Sequence, residues 1–257
     1  MTGNKVDFFI AGVQKGGTTA LDAVLRRHPQ IQMASVKEVH FFDNETLNWV
    51  EPDITKLHEH FDWSIPNVLR GEATPIYTYW ESALQRLRRY NPNARIITGL
   101  RHPIFRAYSH WRMEITRGDE HLDFDAAITK GRERIPKESQ HRVFSYVERG
   151  FYLAQIRRVL ALFPRSNVHF FRTDMLWKQP GVELARVQNF LGVQALLSPQ
   201  QEYIVPMRSD SQPPMHKGAY ESLARIFDST ISELGNLTGL DFEDWRDPDY
   251  SEPMQNL

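Results

Sequence analysis

The amino-acid sequence predicts an α/β fold in which a central parallel sheet is covered by helices on both faces. Short apolar segments with strand character alternate with amphipathic helical segments along the chain, a pattern typical of parallel sheets. A glycine-rich turn, Gly12–Gly17, joins the first strand segment to the first helical segment. The length of 257 residues and the 41% of hydrophobic residues suffice for a large core. We expect a single domain over residues 1–257.

The composition limits the classes of function. Lys and Arg number 31 against 32 Asp and Glu, which disfavours a general nucleic-acid or membrane-surface binder. The absence of cysteine excludes disulfides, thiolate catalysis and cysteine zinc sites. Neither a signal peptide nor an apolar stretch of membrane-spanning length is visible in the sequence. We therefore expect a soluble, cytoplasmic protein without a nucleic-acid partner, and the sequence predicts no particular oligomeric state.

The glycine-rich turn predicts a cradle for phosphate or sulfate. The strand segment Val6–Ile10 leads through the turn into a helix predicted from Thr19 to Arg27. Backbone N–H groups at such a helix start point at an anion, and the helix dipole favours the negative charge. Lys15 adds a positive charge, and Thr18 and Thr19 add two hydroxyl groups. The alternative is a purely structural strand-to-helix turn with a solvated lysine.

The turn differs from the Walker A loop of ATP- and GTP-binding proteins, whose pattern is G-x-x-x-x-G-K-[ST]. Gly12 and Gly17 have the required separation, and Thr19 stands in the hydroxyl position. However, Thr18 occupies the position of the essential lysine, and the only lysine, Lys15, lies inside the loop. The turn therefore indicates a ligand other than a pair of β- and γ-phosphates.

A polar segment, Lys37–Asp43, follows the short second strand predicted over Ile31–Met33. Two acids, a lysine and His40 surround its apolar residues. Such a segment is typical of a site wall, and equally of an edge segment with a solvated polar face. The next elements are a helix predicted over Asp53–Phe61 and a short strand and turn over Val68–Tyr77.

A second cationic position follows the clearest central strand, Arg95–Leu100, which comes after an amphipathic helix over Ser82–Tyr90. Arg101 ends the strand, and Pro103 fits the first turn of a helix that would carry Ser109. Since ligands bind at the carboxyl ends of parallel strands, Arg101 suggests a second anionic group on the ligand. Pairing with a nearby acid is the alternative. Because the strand ends in arginine, the chain lacks a convincing Mg²⁺ carboxylate there, which disfavours a kinase or NTPase.

The second half of the chain continues the alternation of elements. Residues 117–145 are polar and predict a long excursion from the sheet. The predicted elements are a short helix over Phe124–Thr129, an amphipathic helix entered at Ser145–Tyr152 and ended by Pro164, a strand over Val168–Phe171, a helix over Pro180–Leu191, a mobile cationic loop over Ser198–Gly218 and a final helix over Tyr220–Leu237.

Five motifs in this order resemble the sulfotransferases that use 3′-phosphoadenosine 5′-phosphosulfate (PAPS), above all the heparan sulfate sulfotransferase branch and its bacterial relatives. The resemblance covers about residues 6–192 well and the C-terminal part loosely. It implies a P-loop-like three-layer fold and a PAPS-dependent enzyme. The motifs are Gly12–Thr19, Lys37–Asp43, Gly71–Pro75, Leu100–Pro103 with Ser109, and Arg149–Tyr152.

The resemblance also implies a role for individual residues. Glu38 aligns with the catalytic base of the heparan sulfate enzymes, and His40 is the substitute candidate. Lys15 would stabilise the bridging oxygen as its bond to sulfur breaks. The implied donor contacts are Lys15, Gly16, Gly17, Thr18 and Thr19 for the 5′-phosphosulfate, Arg101 and Ser109 for the 3′-phosphate, and Tyr152, Lys217 and Gly218 elsewhere on the nucleotide.

The implied reaction is an in-line sulfuryl transfer to a hydroxyl, or amine, of a carbohydrate, lipid or small-molecule acceptor. It needs a base for the acceptor proton and cations for the departing phosphate. No metal is required, since lysine, arginine and the helix start supply positive charge. Two alternatives stay open: a P-loop kinase that uses Mg-ATP, and a catalytically silent nucleotide-binding protein of the same fold.

One position departs from the family pattern. The heparan sulfate 3-O enzymes have a lysine between the glutamate and threonine that correspond to Glu72 and Thr74, and this chain has Ala73. Any role of that lysine must be absent or supplied elsewhere. Together with the near-zero net charge, this departure weakens the expectation of a polyanionic heparan acceptor.

Overall fold

The computed structural model describes residues 3–135, 140–196 and 215–253. It contains a parallel sheet of five strands, β1 (Phe8–Gly12), β2 (Ile31–Met33), β3 (Leu69–Ala73), β4 (Arg95–Leu100) and β5 (Val168–Arg172). Their order in the sheet is β2-β3-β1-β4-β5. This confirms the predicted α/β class. The ends of β1, β2, β4 and β5 lie within two residues of the predicted ends, and β3 occupies the first part of the strand and turn predicted over Val68–Tyr77.

Helices alternate with these strands along the chain. Among the helices in the described ranges, none combines the length and apolar composition that crossing a membrane takes. The α-helices described are α1 (Thr18–Leu25), α2 (Thr55–His58), α3 (Glu81–Tyr90), α4 (Pro103–Arg117), α5 (Phe124–Ile128), α6 (Tyr152–Leu162), α7 (Thr173–Lys178), α8 (Pro180–Leu191), α9 (Lys217–Phe227) and α10 (Ile231–Thr238).

The chain divides into two compact units. The first unit consists of Met1–Leu100 and Arg157–Val205 and contains the whole sheet. The second unit consists of Arg101–Ile156 and Pro206–Leu257. Each unit has its own cluster of buried apolar side chains.

The core of the first unit forms on both faces of β1, all five residues of which are buried. This is the pattern of a parallel strand covered on both faces. Phe8 and Ile10 pack in one cluster with side chains of α1, α7 and α8. Successive side chains of a strand point to opposite faces, and Phe9 accordingly meets a different partner, the ring of Phe42, with 5.6 Å between ring centroids.

The second unit is built around α4, whose apolar face packs against α5, α9 and the segment before α6. Within it, Glu120 anchors the polar excursion. Its carboxylate accepts two hydrogen bonds from Arg134, at 2.9 and 2.6 Å, and one from the hydroxyl of Tyr146 at 3.0 Å. Burial alone would raise the pKa of Glu120, but these bonds and those from two backbone N–H groups lower it to about 2.

The C-terminal helical region differs from the prediction. The single helix expected over Tyr220–Leu237 is two helices, α9 and α10, separated by a 3₁₀ turn at Asp228–Thr230. The hydroxyl of Thr230 donates to the carbonyl of Phe227 at 2.7 Å, and such local side-chain bonds compete with regular helix. The predicted loop Ser198–Gly218 falls mostly outside the described residues, and Lys217 and Gly218 begin α9 instead.

The segment Ser145–Tyr152, predicted to lead into an amphipathic helix, contains a 3₁₀ turn at Glu148–Gly150, and α6 begins at its last residue, Tyr152. The helix α7, directly after β5, was not predicted at all. It is only six residues long, which is too short for a clear helical periodicity.

Candidate active site

The glycine-rich loop after β1 ends in an open helix start. Gly17 is the N-cap residue of α1, with a left-handed backbone (φ 79°), and no side chain caps this helix. The first N–H groups of a helix lack partners within the helix, so this start offers donors to an anion. Thr18 and Thr19 form the first turn, as predicted; Thr18 is buried and Thr19 is exposed.

The same loop is held firmly against β4. The N–H of Val13 donates to the carbonyl of Gly99 at 3.0 Å, and the N–H of Gly16 donates to the carbonyl of Val13 at 2.9 Å. A Cβ on Gly16 would lie 2.6 Å from the oxygen of Gly99, so only glycine allows this approach. Lys15 adopts a left-handed backbone (φ 69°), a conformation that non-glycine residues take mainly where surrounding contacts enforce it.

The segment after β2 that carries Glu38 is held from below by three polar side chains. These side chains belong to β3 and to the turn that follows it. Buried acceptors of this kind fix the course of a loop that has no regular structure of its own. Glu72 Oε1, Thr74 Oγ1 and the Tyr77 hydroxyl accept hydrogen bonds from the backbone N–H groups of Val39, His40 and Phe41 at 3.3, 3.3 and 3.2 Å, respectively.

The turn after β3 also connects this segment to the glycine-rich loop. The N–H of Thr78 donates to the carbonyl of Ala11 at 3.0 Å, at the carboxyl end of β1. The glycine-rich loop begins there, and Tyr77, one residue earlier, supports the segment Lys37–Asp43. The loop and the segment therefore share the carboxyl edge of the sheet, where open parallel sheets bind their ligands.

Glu38, His40 and Asp43 form a chain of charged hydrogen bonds. The Nε2 of His40 lies 3.2 Å from Glu38 Oε2, and its Nδ1 lies 2.9 Å from Asp43 Oδ2. Lys37 Nζ donates to the other oxygen of Glu38 at 3.0 Å. His40 has a left-handed backbone (φ 54°), and Asp43 is fully buried. The bent backbone places one imidazole between two carboxylates.

The two carboxylates determine the protonation state of His40. Hydrogen bonds to Asp43 and Glu38 outweigh burial and raise the pKa of His40 to about 9. An imidazole that donates from both nitrogens is protonated. Burial raises the pKa of Glu38, but hydrogen bonds from His40 and Lys37 outweigh burial, and the net pKa lies below the ordinary value. Near neutral pH, Glu38 is therefore an ionised carboxylate able to accept a proton, whereas His40 is not.

Glu72 is a third carboxyl group, beneath the hydrogen-bonded series of Glu38, His40 and Asp43. It is fully buried, and its Oε1 accepts from the hydroxyl of Thr74 and the N–H of Val39. Burial raises its pKa to about 7. The sequence reasoning gave Glu72 no role of its own. The available signal was a carboxyl group inside an otherwise buried strand, where an acid is costly unless it is hydrogen-bonded or neutral.

The remaining predicted site residues lie in the second unit. Arg101 follows the last residue of β4, and its Nε and Nη2 contact the carboxylate of Glu252 at 2.8 and 2.5 Å. The hydroxyl of Tyr152 donates to the carbonyl of Arg101 at 2.7 Å, and burial raises the pKa of this tyrosine. Ser109 is half-buried in α4, two turns after Pro103, as predicted.

The late pair Lys217–Gly218 occupies the first turn of α9. The side chain of Lys217 is 90% exposed, and its Nζ lies 3.7 Å from Glu221, one turn along the helix. The structure brings together Arg101 and Tyr152 in the second unit, as it does Glu38 and His40 in the first. It shows no comparable contact for Lys217 or Gly218 within the described residues.

Comparisons with known proteins give the family. Residues 5–218 match the family described as "Sulfotransferase domain". The chain belongs to this sulfotransferase family. It is 27% identical over 201 residues to the heparan sulfate glucosamine 3-O-sulfotransferase 3B1 of Mus musculus, covering 76% of this chain and 48% of that protein. It is 30% identical over 202 residues to the 3-O-sulfotransferase 6 of the same species, covering 76% of this chain and 54% of that protein. The chain thus spans about half the length of these curated relatives.

Solved structures of sulfotransferases share the fold. The crystal structure of a sulfotransferase from Alicyclobacillus acidocaldarius matches with a TM-score of 0.82 and 26% identity, covering 95% of this chain and 100% of that one. The sulfotransferase domain from the curacin biosynthetic pathway matches in fold, with a TM-score of 0.54 at 17% identity over 78% of this chain and 77% of that one. The P-loop-like α/β fold implied by the resemblance is thereby confirmed.

A cavity of about 370 Å³ borders the segment that carries Glu38. Its walls include Phe41 and Phe42 of that segment, together with Lys5, which precedes β1, and Tyr90, which ends α3. Lys5 and Tyr90 lie toward the amino ends of the central strands, whereas the glycine-rich loop follows the carboxyl end of β1.

Proposed function

We propose that this member of the sulfotransferase family transfers a sulfuryl group from PAPS to a hydroxyl, or amine, of an acceptor, with Glu38 as the general base. The observation that carries the proposal is the hydrogen-bonded chain of Glu38, His40 and Asp43 at the sheet edge that also holds the glycine-rich loop. The Glu38 cluster offers an ionised base, and the glycine-rich loop offers an anion site. Membership of the sulfotransferase family supports the use of both in one reaction.

The glycine-rich loop fits the 5′-phosphosulfate of the donor. Its uncapped helix start provides backbone donors, and Gly16 lets the loop pack against β4 without a side chain. When bound, PAPS supplies the sulfuryl group. Lys15 would stabilise negative charge on the oxygen from which that group departs, since a preorganised cation lowers the energy of such a charge. In the same proposal Arg101 and Ser109 bind the 3′-phosphate, an assignment that rests on the resemblance of their motif.

Glu38 would take the proton of the acceptor group as that group attacks. The protonated His40 donates to Oε2 of Glu38 and Lys37 donates to Oε1, so the carboxylate is fixed in orientation. Each carboxylate oxygen has a second lone pair, which leaves room for the acceptor proton. Asp43 holds His40 from the other side and keeps it protonated. His40 and Asp43 thus act as positioning residues for Glu38.

The acceptor class follows less directly. The curated relatives are named for a hydroxyl of glucosamine in heparan sulfate, which makes a carbohydrate hydroxyl the first class to test. The formal net charge of −1 gives no general attraction for a polyanion, and Ala73 replaces the lysine of the 3-O enzymes. Neutral or weakly charged sugars and small alcohols are therefore preferred acceptors in this proposal.

The test compares Glu38→Gln with Glu59→Gln, the same change at an exposed glutamate of the same unit. Release of 3′-phosphoadenosine 5′-phosphate (PAP) from PAPS would be followed with a panel of glycans, alcohols and amines. General base catalysis contributes roughly 10²–10⁴-fold, so Glu38→Gln should lose turnover by about that factor while PAP affinity stays nearly unchanged. Full activity of Glu38→Gln would reject Glu38 as the base. Nucleotide binding without transfer to any acceptor would favour a catalytically silent protein.

A further inference from the structure

The guanidinium of Arg101 holds an acidic residue from the C-terminal part of the chain. Two of its nitrogens contact the two carboxylate oxygens of Glu252, at 2.8 and 2.5 Å. The side chains of Arg101 and Glu252 are only 12% and 8% exposed. This is the bidentate geometry that guanidinium groups form with carboxylates and with phosphates. The arginine predicted to bind a phosphate therefore already holds an anion.

Glu252 belongs to a short segment, Asp247–Glu252, which we call the C-terminal strap. Within the described residues, two of its side chains are held by packing or charge, and the hydroxyl of Tyr220 donates to the backbone carbonyl of Asp247 at 3.4 Å. The ring of Tyr250 stacks on His102 with 4.8 Å between centroids and 22° between planes, and it also meets Phe105 at 5.9 Å. The other anchor is the carboxylate of Glu252.

The remainder of the strap is in contact with solvent. Asp247, Pro248, Asp249 and Ser251 are all exposed. Segments with few buried contacts open at low free-energy cost, without unfolding the rest of the protein. Loss of the Glu252 contact would therefore loosen the strap, which would keep the stacked ring of Tyr250 and the bond from Tyr220, and it would leave the helices α4 and α9 in place.

We propose that Glu252 is a built-in competitor of the ligand's 3′-phosphate for Arg101, and that binding of the 3′-phosphorylated nucleotide releases the C-terminal strap. The inference rests on the proposed function, since it needs a nucleotide whose 3′-phosphate binds Arg101. A phosphate offers the guanidinium the same paired oxygens as a carboxylate and carries more negative charge. A carboxylate left beside that phosphate would repel it, so the two anions exclude one another.

This arrangement makes the strap a determinant of donor affinity. If Arg101 is released from Glu252 in only a fraction of the molecules, the apparent affinity for the 3′-phosphorylated nucleotide falls in proportion to that fraction. Removing the charge of Glu252 should therefore strengthen binding of a 3′-phosphorylated nucleotide and leave other nucleotides unaffected. The opposite role, in which Glu252 merely orients Arg101 for the ligand, predicts weaker binding after the same change.

The experiment measures the affinity of the full chain for PAP and for ADP, which lacks the 3′-phosphate, by calorimetry. The variants are Glu252→Gln and, as a matched control, Glu243→Gln, an exposed glutamate of the same unit. Tyr250→Ala removes the other anchor without touching the ion pair, and it serves if Glu252→Gln folds poorly. Hydrogen exchange of the strap backbone, with and without PAP, reports its release.

We expect Glu252→Gln to bind PAP roughly tenfold more tightly, with ADP affinity and the Glu243→Gln control unchanged. Tyr250→Ala should shift PAP affinity in the same direction, and PAP should speed exchange of the strap in the unmodified chain. Unchanged or weaker PAP binding by Glu252→Gln, or a strap protected by PAP, would overturn the inference and leave the proposed function standing. Failure of every variant and of the unmodified chain to bind PAP would overturn both.

Discussion

Replacing Asp43 by asparagine removes the buried negative charge beside His40 and keeps a side chain of the same shape. The amide oxygen of asparagine can still accept from Nδ1 of His40, which lies 2.9 Å from Asp43 in the native chain. Packing should therefore survive, and the change should act through charge. Asp43 is the largest contributor to the raised pKa of His40, ahead of Glu38.

The expected size of the effect follows from that pKa. The rise from the ordinary 6.5 to about 9 corresponds to about 3 kcal/mol in favour of the protonated imidazole. Two carboxylates share this effect, and the His40 side chain is 44% exposed, so solvent screens part of it. Loss of Asp43 should therefore lower the proton affinity of His40 about tenfold, equivalent to about 1.4 kcal/mol.

The readout is the titration of the His40 ring by NMR in the Asp43→Asn protein. The resonance is identified among the ten histidines by its loss in a His40→Asn protein. Because the folded-state pKa is raised, the ion pairs of His40 stabilise the fold fully below pH 6.5 and lose this effect as the pH rises through about 9. Asp43→Asn should therefore cost more unfolding free energy at pH 6 than at pH 10.

Turnover should depend on the positive charge of His40. The alkaline fall in turnover, expected as His40 loses its proton, should move to lower pH in Asp43→Asn. The exposed Asp125→Asn is the matched control and should leave the profile unchanged. An unaltered His40 titration in a folded Asp43→Asn protein, or an alkaline limb displaced to higher pH, would contradict the role of Asp43 in keeping His40 protonated.

Three further changes test the supporting structure. Gly16→Ala should destabilise the fold by about 1–3 kcal/mol in chemical denaturation and abolish nucleotide binding, since its Cβ would lie 2.6 Å from a carbonyl oxygen. The control Gly3→Ala, which has open space around it, should change neither stability nor nucleotide binding. Between pH 5 and pH 8, the unfolding free energy of Glu72→Gln should rise relative to that of the native chain by up to about 3 kcal/mol. The reason is that the folded-state pKa of about 7 makes ionisation of Glu72 costly in the folded protein. The same pH dependence of stability in both proteins would count against this explanation. Glu120→Gln should cost about 2 kcal/mol in urea unfolding at pH 7, whereas exposed Glu133→Gln should be neutral, and equal costs would contradict the anchoring role.

The sheet and the glycine-rich loop were readable from the sequence because their signals are local. Apolar segments such as Arg95–Leu100 are bounded by turn residues, and the loop combines glycines with a lysine and two hydroxyls. The placement of Arg101 after β4 followed from the same reasoning. Its partner did not, because Glu252 lies 151 positions further along the chain and only tertiary packing brings the two together.

The chemistry of the Glu38 segment was only partly readable. The motif drew attention to Glu38 and His40, but the charge of His40 depends on its fixed contacts with both carboxylates. These contacts depend in turn on the left-handed backbone of His40 and on the buried acceptors beneath it, Glu72 among them. Neither periodicity nor composition specifies such a geometry. Likewise, the regular apolar pattern of the C-terminal helical region does not reveal the 3₁₀ turn at Asp228–Thr230.

Donor binding is tested first by a calorimetric titration of the full chain with PAP, compared with ADP and with ATP plus Mg²⁺. We expect a clear preference for PAP in the absence of any metal, because the loop at Gly17 and the guanidinium of Arg101 are proposed to bind two separate anionic groups. A preference for Mg-ATP would contradict sulfuryl transfer from PAPS and would favour a kinase.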